Sequence, residues 1–98
     1  MKAILKVKNG SNYARYNGLT FNVNSIVGTQ LLNLQMDGYT ADFSIYELLI
    51  VDVQHELQLA YDEINWGYQQ SVKKLDMLRR YTIENSINVS DPIFNHIN

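Results

Sequence analysis

The sequence predicts an α+β protein in which a small antiparallel β-sheet or barrel is followed by one or two C-terminal α-helices. Two observations lead to this fold class. Up to about Val51, apolar residues recur at every second position in short runs, as expected for strands with one buried face. After Val51 they recur at every third or fourth position as far as Leu78, with no proline, as expected for amphipathic helices.

The size and composition of the chain indicate one globular domain. We expect a β-barrel over residues 1–53, a helical arm over 53–87 and a tail over 88–98. The chain has no cysteine, which excludes disulfides and thiolate metal sites. Lysines at positions 6 and 8 interrupt any signal-peptide core, and the longest apolar run is too short to span a bilayer. A cytoplasmic location is therefore expected.

The first half of the chain predicts five short strands. They are expected at about 2–8, 19–27, 32–36, 39–43 and 49–53, with three Asn-Gly or Asp-Gly pairs in two of the connections. The stretch 9–18 fits either a loop or a sixth short strand. Shared parity within the runs predicts a buried core. Its members are Leu5, Val7, Leu19, Phe21, Val23, Leu32, Leu34 and Phe43.

Three segments of this half carry a resemblance to a known family. They are the opening Lys6-Val7-Lys8-Asn9-Gly10, the Asp37-Gly38 hairpin, and the turn Phe43-Ser44-Ile45-Tyr46-Glu47-Leu48 that leads into Ile50-Val51-Asp52. With these segments, residues 1–53 resemble the SH3-like small barrels, including the KOW type. The resemblance implies a five-stranded antiparallel barrel with a short helical turn before its last strand. It also implies binding of peptides, proteins or nucleic acid, without assigning binding residues.

The second half of the chain predicts one continuous apolar stripe on a helical arm. Asp52 is the expected N-cap residue, and Asp91-Pro92 ends the pattern before the tail of residues 93–98. Trp66-Gly67 is a natural break, which favours two helices over about 53–65 and 68–85. The alternative is a single helix about 50 Å long that pairs between subunits.

No motif in the sequence indicates catalysis, a metal or a cofactor. Asp52, His55 and Glu56 lie on one helical face, but a di-metal helix site needs a second Glu-x-x-His motif and further carboxylates. The chain has two histidines, no nucleophile motif and no glycine-rich phosphate loop. We therefore expect neither an enzyme nor a small-molecule substrate.

A protein partner or a second copy of the chain is expected to bind the helical arm. The stripe is too long for one small barrel face to cover, and tryptophan and tyrosine are common interface anchors. The expected apolar anchors are Trp66, Tyr68, Val72, Leu75 and Leu78, with Lys73, Arg79 and Arg80 at the rim. A purely structural role of Trp66, closing the helix against the barrel, is the alternative.

Nucleic-acid binding by the barrel is the second expectation for function. Basic and aromatic side chains could form a surface on which single-stranded bases stack, and its members are Lys2, Lys6, Lys8, Arg15 and Tyr16. Tyr13, Tyr39 and Tyr46 could extend that surface, unless Tyr39 belongs to the core. A pI of about 5.5 argues against this function.

The function expected from the sequence is a non-enzymatic protein-binding or regulatory module. Small size, the lack of catalytic motifs and a high asparagine content lead us to expect an accessory protein of a phage or other mobile element.

Overall fold

The computed structural model describes residues 1–28 and 30–89, which fold into two compact units. One unit is Met1–Val51, and the second begins at Asp52. The first contains five antiparallel strands and the second two α-helices, so the predicted α+β class is confirmed. The predicted tail and the Asp91-Pro92 helix stop lie outside the described residues, apart from Asn88 and Val89.

The elements follow the predicted order along the chain. The strands are β1 (Lys2–Leu5), β2 (Thr20–Val27), β3 (Leu31–Gln35), β4 (Thr40–Ser44) and β5 (Leu48–Ile50). The helices are α1 (Val53–Asn65) and α2 (Ser71–Glu84). Two short 3-10 turns, Ala14–Tyr16 and Ile45–Glu47, lie in the β1–β2 and β4–β5 connections.

The five strands form one antiparallel sheet in the order β4-β3-β2-β1-β5. The first half of the long strand β2 pairs with β1, and its second half pairs with β3. The register shifts between Val23 and Ser25, and a bulge of this kind bends a strand and increases its twist. The sheet therefore changes direction within β2, which is compatible with a small barrel-like domain.

Most of the predicted core residues lie on the inner face of this sheet and are buried. Leu5, Val7, Leu32, Leu34 and Phe43 are buried, as their parity predicts. Phe21 and Val23 are only half-buried. The prediction for Leu19 is wrong. Its side chain is exposed because Leu19 precedes the first residue of β2 and lies beyond the covered part of the face.

The stretch between β1 and β2 is a loop rather than a sixth strand. The side chain of Asn17 ties this loop to the end of β1. Its Oδ1 accepts a hydrogen bond from the Val7 N–H at 2.8 Å, and its Nδ2 donates to the Val7 C=O at 2.9 Å. Since one side chain satisfies both backbone groups of Val7, it replaces the neighbouring strand that Val7 lacks.

The predicted helical turn before β5 is present and is held by a capping box. The Tyr46 N–H donates to Ser44 Oγ at 3.2 Å, and the Ser44 N–H donates to Glu47 Oε1 at 3.0 Å. These reciprocal bonds satisfy backbone donors at the start of the turn. The chain thereby passes from β4 into β5 without a long loop.

The break between the two helices lies where Trp66-Gly67 predicts it. The Tyr68 N–H donates to the Glu63 C=O at 3.0 Å, and the Gly67 N–H donates to the Ile64 C=O at 2.9 Å. This pair of bonds is the Schellman motif, and Gly67 takes the left-handed conformation that it requires, with a φ of 94°. The alternative of one uninterrupted helix is therefore wrong.

The sequence pattern indicates one apolar stripe that continues in phase through both helices. The structure shows that the buried face of α2 does not continue that of α1 in phase. In α1 the buried residues include Leu57, Ala60 and Tyr61, as predicted. In α2 they are Ser71, Met77, Leu78, Tyr81 and Thr82, while Val72 is exposed. The reversal at Gly67 and the turn before Ser71 reset the phase, so a stripe extrapolated from α1 selects part of the wrong face of α2.

A network of charged and polar side chains joins α1 to α2. Lys74 Nζ lies 3.2 Å from Glu56 Oε2 and 3.8 Å from Glu63 Oε1, and the Ser71 hydroxyl donates to Glu63 Oε2. Glu56 Oε2 is fully buried, and the side chain of Glu56 is only 11% exposed. The ammonium group of Lys74 therefore offsets a carboxylate charge that water reaches poorly.

Replacing Lys74 with methionine is expected to destabilise the protein by about 1–3 kcal/mol, because the buried Glu56 carboxylate then lacks its cation. Chemical denaturation followed by circular dichroism measures the change. The double variant Lys74→Met/Glu56→Met is the control, and we expect it to recover most of the loss since no charge remains buried. A Lys74→Met protein as stable as the wild type contradicts the role of this ion pair.

The two helix ends allow a matched pair of substitutions. Ser86 occupies at the end of α2 the position that Gly67 occupies at the end of α1, with a φ of 53°. Gly67→Ala is expected to cost about 1 kcal/mol from backbone strain alone, because an added Cβ meets no atom within 4 Å. Ser86→Gly is expected to stabilise by up to about 1 kcal/mol for the opposite reason. Thermal unfolding of both variants measures these shifts, and changes of the same sign contradict the assignment.

Candidate partner-binding surfaces

The turn between the helices and the start of α2 expose three apolar side chains. Trp66 is 77% exposed, Tyr68 is 56% exposed and Val72 is 49% exposed. The Schellman motif places Trp66 and Tyr68 there, because it turns the chain out of α1 directly after Trp66. We call these three residues the turn surface. Side chains of this size are usually at least partly covered in folded proteins.

A second exposed surface runs along α2 from the turn surface to the other end of the helix. Val72, Asp76, Arg79 and Ile83 are exposed and follow one another at steps of four, three and four. At 3.6 residues per turn these steps keep all four within an arc of about 60°. Ile83 is 76% exposed. We call these four residues the α2 outer face.

The structure places the predicted anchors differently along α2. Trp66, Tyr68 and Val72 are exposed, while Leu75 is half-buried. Leu78 is fully buried, so it belongs to the hydrophobic core and its prediction as a surface anchor is corrected. The cause is the phase change at Gly67. The exposed positions of Lys73, Arg79 and Arg80 are compatible with the predicted rim.

Ile83 is a surface residue that the sequence argument missed. Asp76 and Arg79 occupy the helical steps between Val72 and Ile83, so no apolar period in the sequence points to Ile83. On the same helix, Arg80 forms an ion pair with Asp76, one turn earlier, with 3.2 Å between Nε and Oδ2.

The first unit carries a cluster of aromatic rings around the β1–β2 loop. Tyr13 packs edge-on against Phe43 with ring centres 5.0 Å apart, and Tyr16 packs likewise against Phe21 at 6.0 Å. The guanidinium carbon of Arg15 lies 4.8 Å from the centre of the Tyr16 ring, within the range of a cation–π contact. The loop is thus attached to the sheet through its own aromatic residues.

The polar ends of this cluster meet at Tyr16. The Nη2 atom of Arg15 donates to the Tyr16 hydroxyl at 3.0 Å. Hydrogen bonding with the Tyr39 hydroxyl, and then with Arg15, lowers the pKa of Tyr16, whereas the same contact with Tyr16 raises the pKa of Tyr39. Tyr39 is exposed and lies outside the core. Arg15, Tyr16 and Tyr39 therefore form a small polar aromatic group at the surface.

The residues predicted for nucleic-acid binding are divided between two faces of the sheet. Lys2 alternates with the buried residues Ala3 and Leu5 and so lies on the outer face, and Lys6 is exposed next to that strand. Tyr16 instead contacts Phe21, which pairs with the inward-facing Ala3. Lys8 is exposed in the same loop as Arg15. The structure brings Arg15 and Tyr16 together but not the whole set.

Asp52, His55 and Glu56 at the start of α1 share a helical face in the sequence pattern but do not form a group in the structure. His55 is exposed, while Glu56 is buried and faces Lys74. Asp52 has a φ of 54° and makes no side-chain capping bond, although it occupies the predicted N-cap position. Within residues 1–28 and 30–89, no group of three or more histidine or acidic side chains is placed to hold a metal ion. No helix in those ranges is long and apolar enough to cross a membrane.

Comparison of the chain with protein-family models, with curated proteins and with solved structures gives no match.

Proposed function

We propose that this chain is a non-enzymatic protein-binding module whose helical unit holds its partner. The observation that carries the proposal is the exposure of Trp66, at 77%, next to Tyr68 and Val72. A tryptophan in water gains little from folding, whereas a partner that covers it removes a large apolar area from solvent. Trp66 and Tyr68 are the proposed anchors of the bound partner.

The charges around these anchors support a protein partner. Lys73, Arg79 and Arg80 are exposed on the same helix. Charges at the rim of an interface increase the association rate and the specificity, while the apolar anchors supply most of the affinity. We therefore keep Lys73, Arg79 and Arg80 as the rim of the proposed interface. Ile83 takes the place of Leu78 among its anchors.

We also propose that the first unit is an SH3-like barrel of the KOW type. Its five antiparallel strands, the bend within β2 and the short 3-10 turn between β4 and β5 support the proposal. A cytoplasmic location and an accessory role in a phage or other mobile element remain proposals from the sequence.

The binding role is tested with Trp66, which is the only tryptophan in the chain. When a partner covers Trp66, its fluorescence emission is expected to shift to shorter wavelength. Trp66→Ser is expected to weaken binding by about tenfold or more, because a central aromatic anchor is lost. The measurement is capture of host proteins on the immobilised chain, together with sedimentation of the chain alone.

Leu19→Ser is the matched control for this test, because Leu19 is an exposed apolar residue of the first unit. A partner that the wild type and Leu19→Ser retain, and that Trp66→Ser loses, supports the proposal. Association of the chain with itself that depends on Trp66 supports it as well. If neither is found, or if Trp66→Ser binds as the wild type does, the proposal is wrong.

Nucleic-acid binding is the second candidate, and one observation favours it. Arg15, Tyr16 and Tyr39 place a cation and two phenol rings together at the surface, which suits the stacking of single-stranded bases. The lysines on the outer face cannot join the same contact, so any affinity rests on few phosphate contacts.

If the barrel binds single-stranded oligonucleotides, affinity is expected at about 50 mM salt and to fall by about 200 mM, because binding releases counterions. Fluorescence anisotropy with labelled oligonucleotides measures it. Tyr16→Ser is expected to lose about 1–3 kcal/mol of binding free energy from lost stacking. Lys73→Gln, in the other unit, is the control and leaves binding unchanged. Absence of binding at about 50 mM salt removes this candidate.

A further inference from the structure

We propose that the partner of the α2 outer face is a second copy of this chain, which packs its own α2 antiparallel against it. The inference rests on the proposed binding role of the helical unit and names the partner. Its basis is the order of residues on the face. Two apolar residues, Val72 and Ile83, lie at the ends, and two opposite charges, Asp76 and Arg79, lie between them.

The steps of four, three and four between these residues are those of a coiled-coil seam. Such a seam repeats on average every 3.5 residues and stays in contact with a partner helix along its length. It lies opposite the buried residues of α2, among them Met77, Leu78 and Tyr81. The core of the unit therefore occupies one side of the helix, and the seam is exposed on the other.

The seam matches itself when two copies run in opposite directions. A two-fold axis midway between residues 77 and 78 places Val72 of one copy beside Ile83 of the other. The same axis places Asp76 beside Arg79. A two-fold interface requires that residue i contacts residue j while j contacts i, and all four contacts meet this condition. Each copy supplies two apolar ends, one acid and one base to the other.

A parallel pair is unfavourable for the same residues. Parallel helices in register place each residue beside its own copy, so Asp76 meets Asp76 and Arg79 meets Arg79. Like charges in contact at an interface cost binding free energy, whereas the antiparallel order pairs opposite charges. The sequence of the seam thus selects the direction as well as the partner.

The flanks of the seam agree with the antiparallel order. Lys73 and Glu84 lie on one edge of α2 together with Arg80, and Arg80 is already paired with Asp76. In the antiparallel pair, Lys73 of one copy faces the opposite charge of Glu84 in the other, while the like charge of Arg80 is offset by its own ion pair with Asp76. Trp66 and Tyr68 precede α2, so they lie beside the C-terminal end of the partner copy's α2. They can extend the contact beyond the 14 residues of the helix.

Charge exchange tests the pairing in solution. Sedimentation velocity of the wild type, up to about 500 μM because a small interface is weak, is expected to show a monomer–dimer equilibrium. Asp76→Arg and Arg79→Asp are each expected to raise the dissociation constant by about tenfold or more, because like charges then face each other. The double variant Asp76→Arg/Arg79→Asp, and an equimolar mixture of the two single variants, are expected to restore dimers.

Cysteine cross-linking tests the direction, since the chain has no cysteine of its own. Val72→Cys and Ile83→Cys both replace exposed residues, so folding is not at risk. Mild oxidation of their mixture is expected to give the mixed disulfide dimer in preference to either symmetric dimer. Asn22→Cys, on the exposed side of β2, is the control and is expected to cross-link with neither. A preference for Val72→Cys with itself overturns the antiparallel pair.

The outcomes separate this inference from the proposed function. A wild type that stays monomeric over the whole concentration range overturns the inference. If that monomer still captures a host protein through Trp66, the binding role stands and only the identity of the partner changes. If the charge variants dimerise as well as the wild type, the contact lies elsewhere and the inference is wrong. Thermal unfolding of every variant shows whether it is folded.

Discussion

The left-handed backbone of Gly67 is the constraint on which the helical unit depends. Because Gly67 takes a φ of 94°, α1 ends with both Schellman hydrogen bonds, and α2 starts only after a short turn. The two helices can therefore contact each other instead of forming one rod. The same turn leaves Trp66 and Tyr68 exposed. The left-handed backbone of Gly67 therefore both ends α1 and exposes the proposed binding surface.

The polar network between the helices fixes how they meet. Lys74 lies near Glu56 and Glu63, which are two helical turns apart on α1, and Ser71 adds a hydrogen bond to Glu63. Apolar contacts alone tolerate sliding and rotation of one helix on another. A buried carboxylate does not, because it needs its cation at a fixed position. The network therefore orients α2, and with it the face that α2 leaves exposed.

In the first unit, local hydrogen bonds determine where the loop residues lie. The amide of Asn17 replaces a strand partner for Val7, and Tyr13 and Tyr16 pack on rings of the sheet. The loop is therefore held against the sheet from both its polar and its aromatic side. This is why Arg15 and Tyr16 meet at one place, whereas Lys2 lies on the outer face of the sheet.

The sequence by itself determined the fold class, most of the inner face of the sheet and the position of the helix break. These depend on local properties: the period of apolar residues, the turn-forming pairs and the conformational freedom of Gly67. It failed at Leu78 and Ile83, because the rotation of α2 relative to α1 is decided by the turn geometry and the Lys74 contacts. A period read along the chain carries no information about such a rotation. Only the tertiary structure decided which side of α2 is buried, because that choice depends on contacts between residues far apart in the sequence.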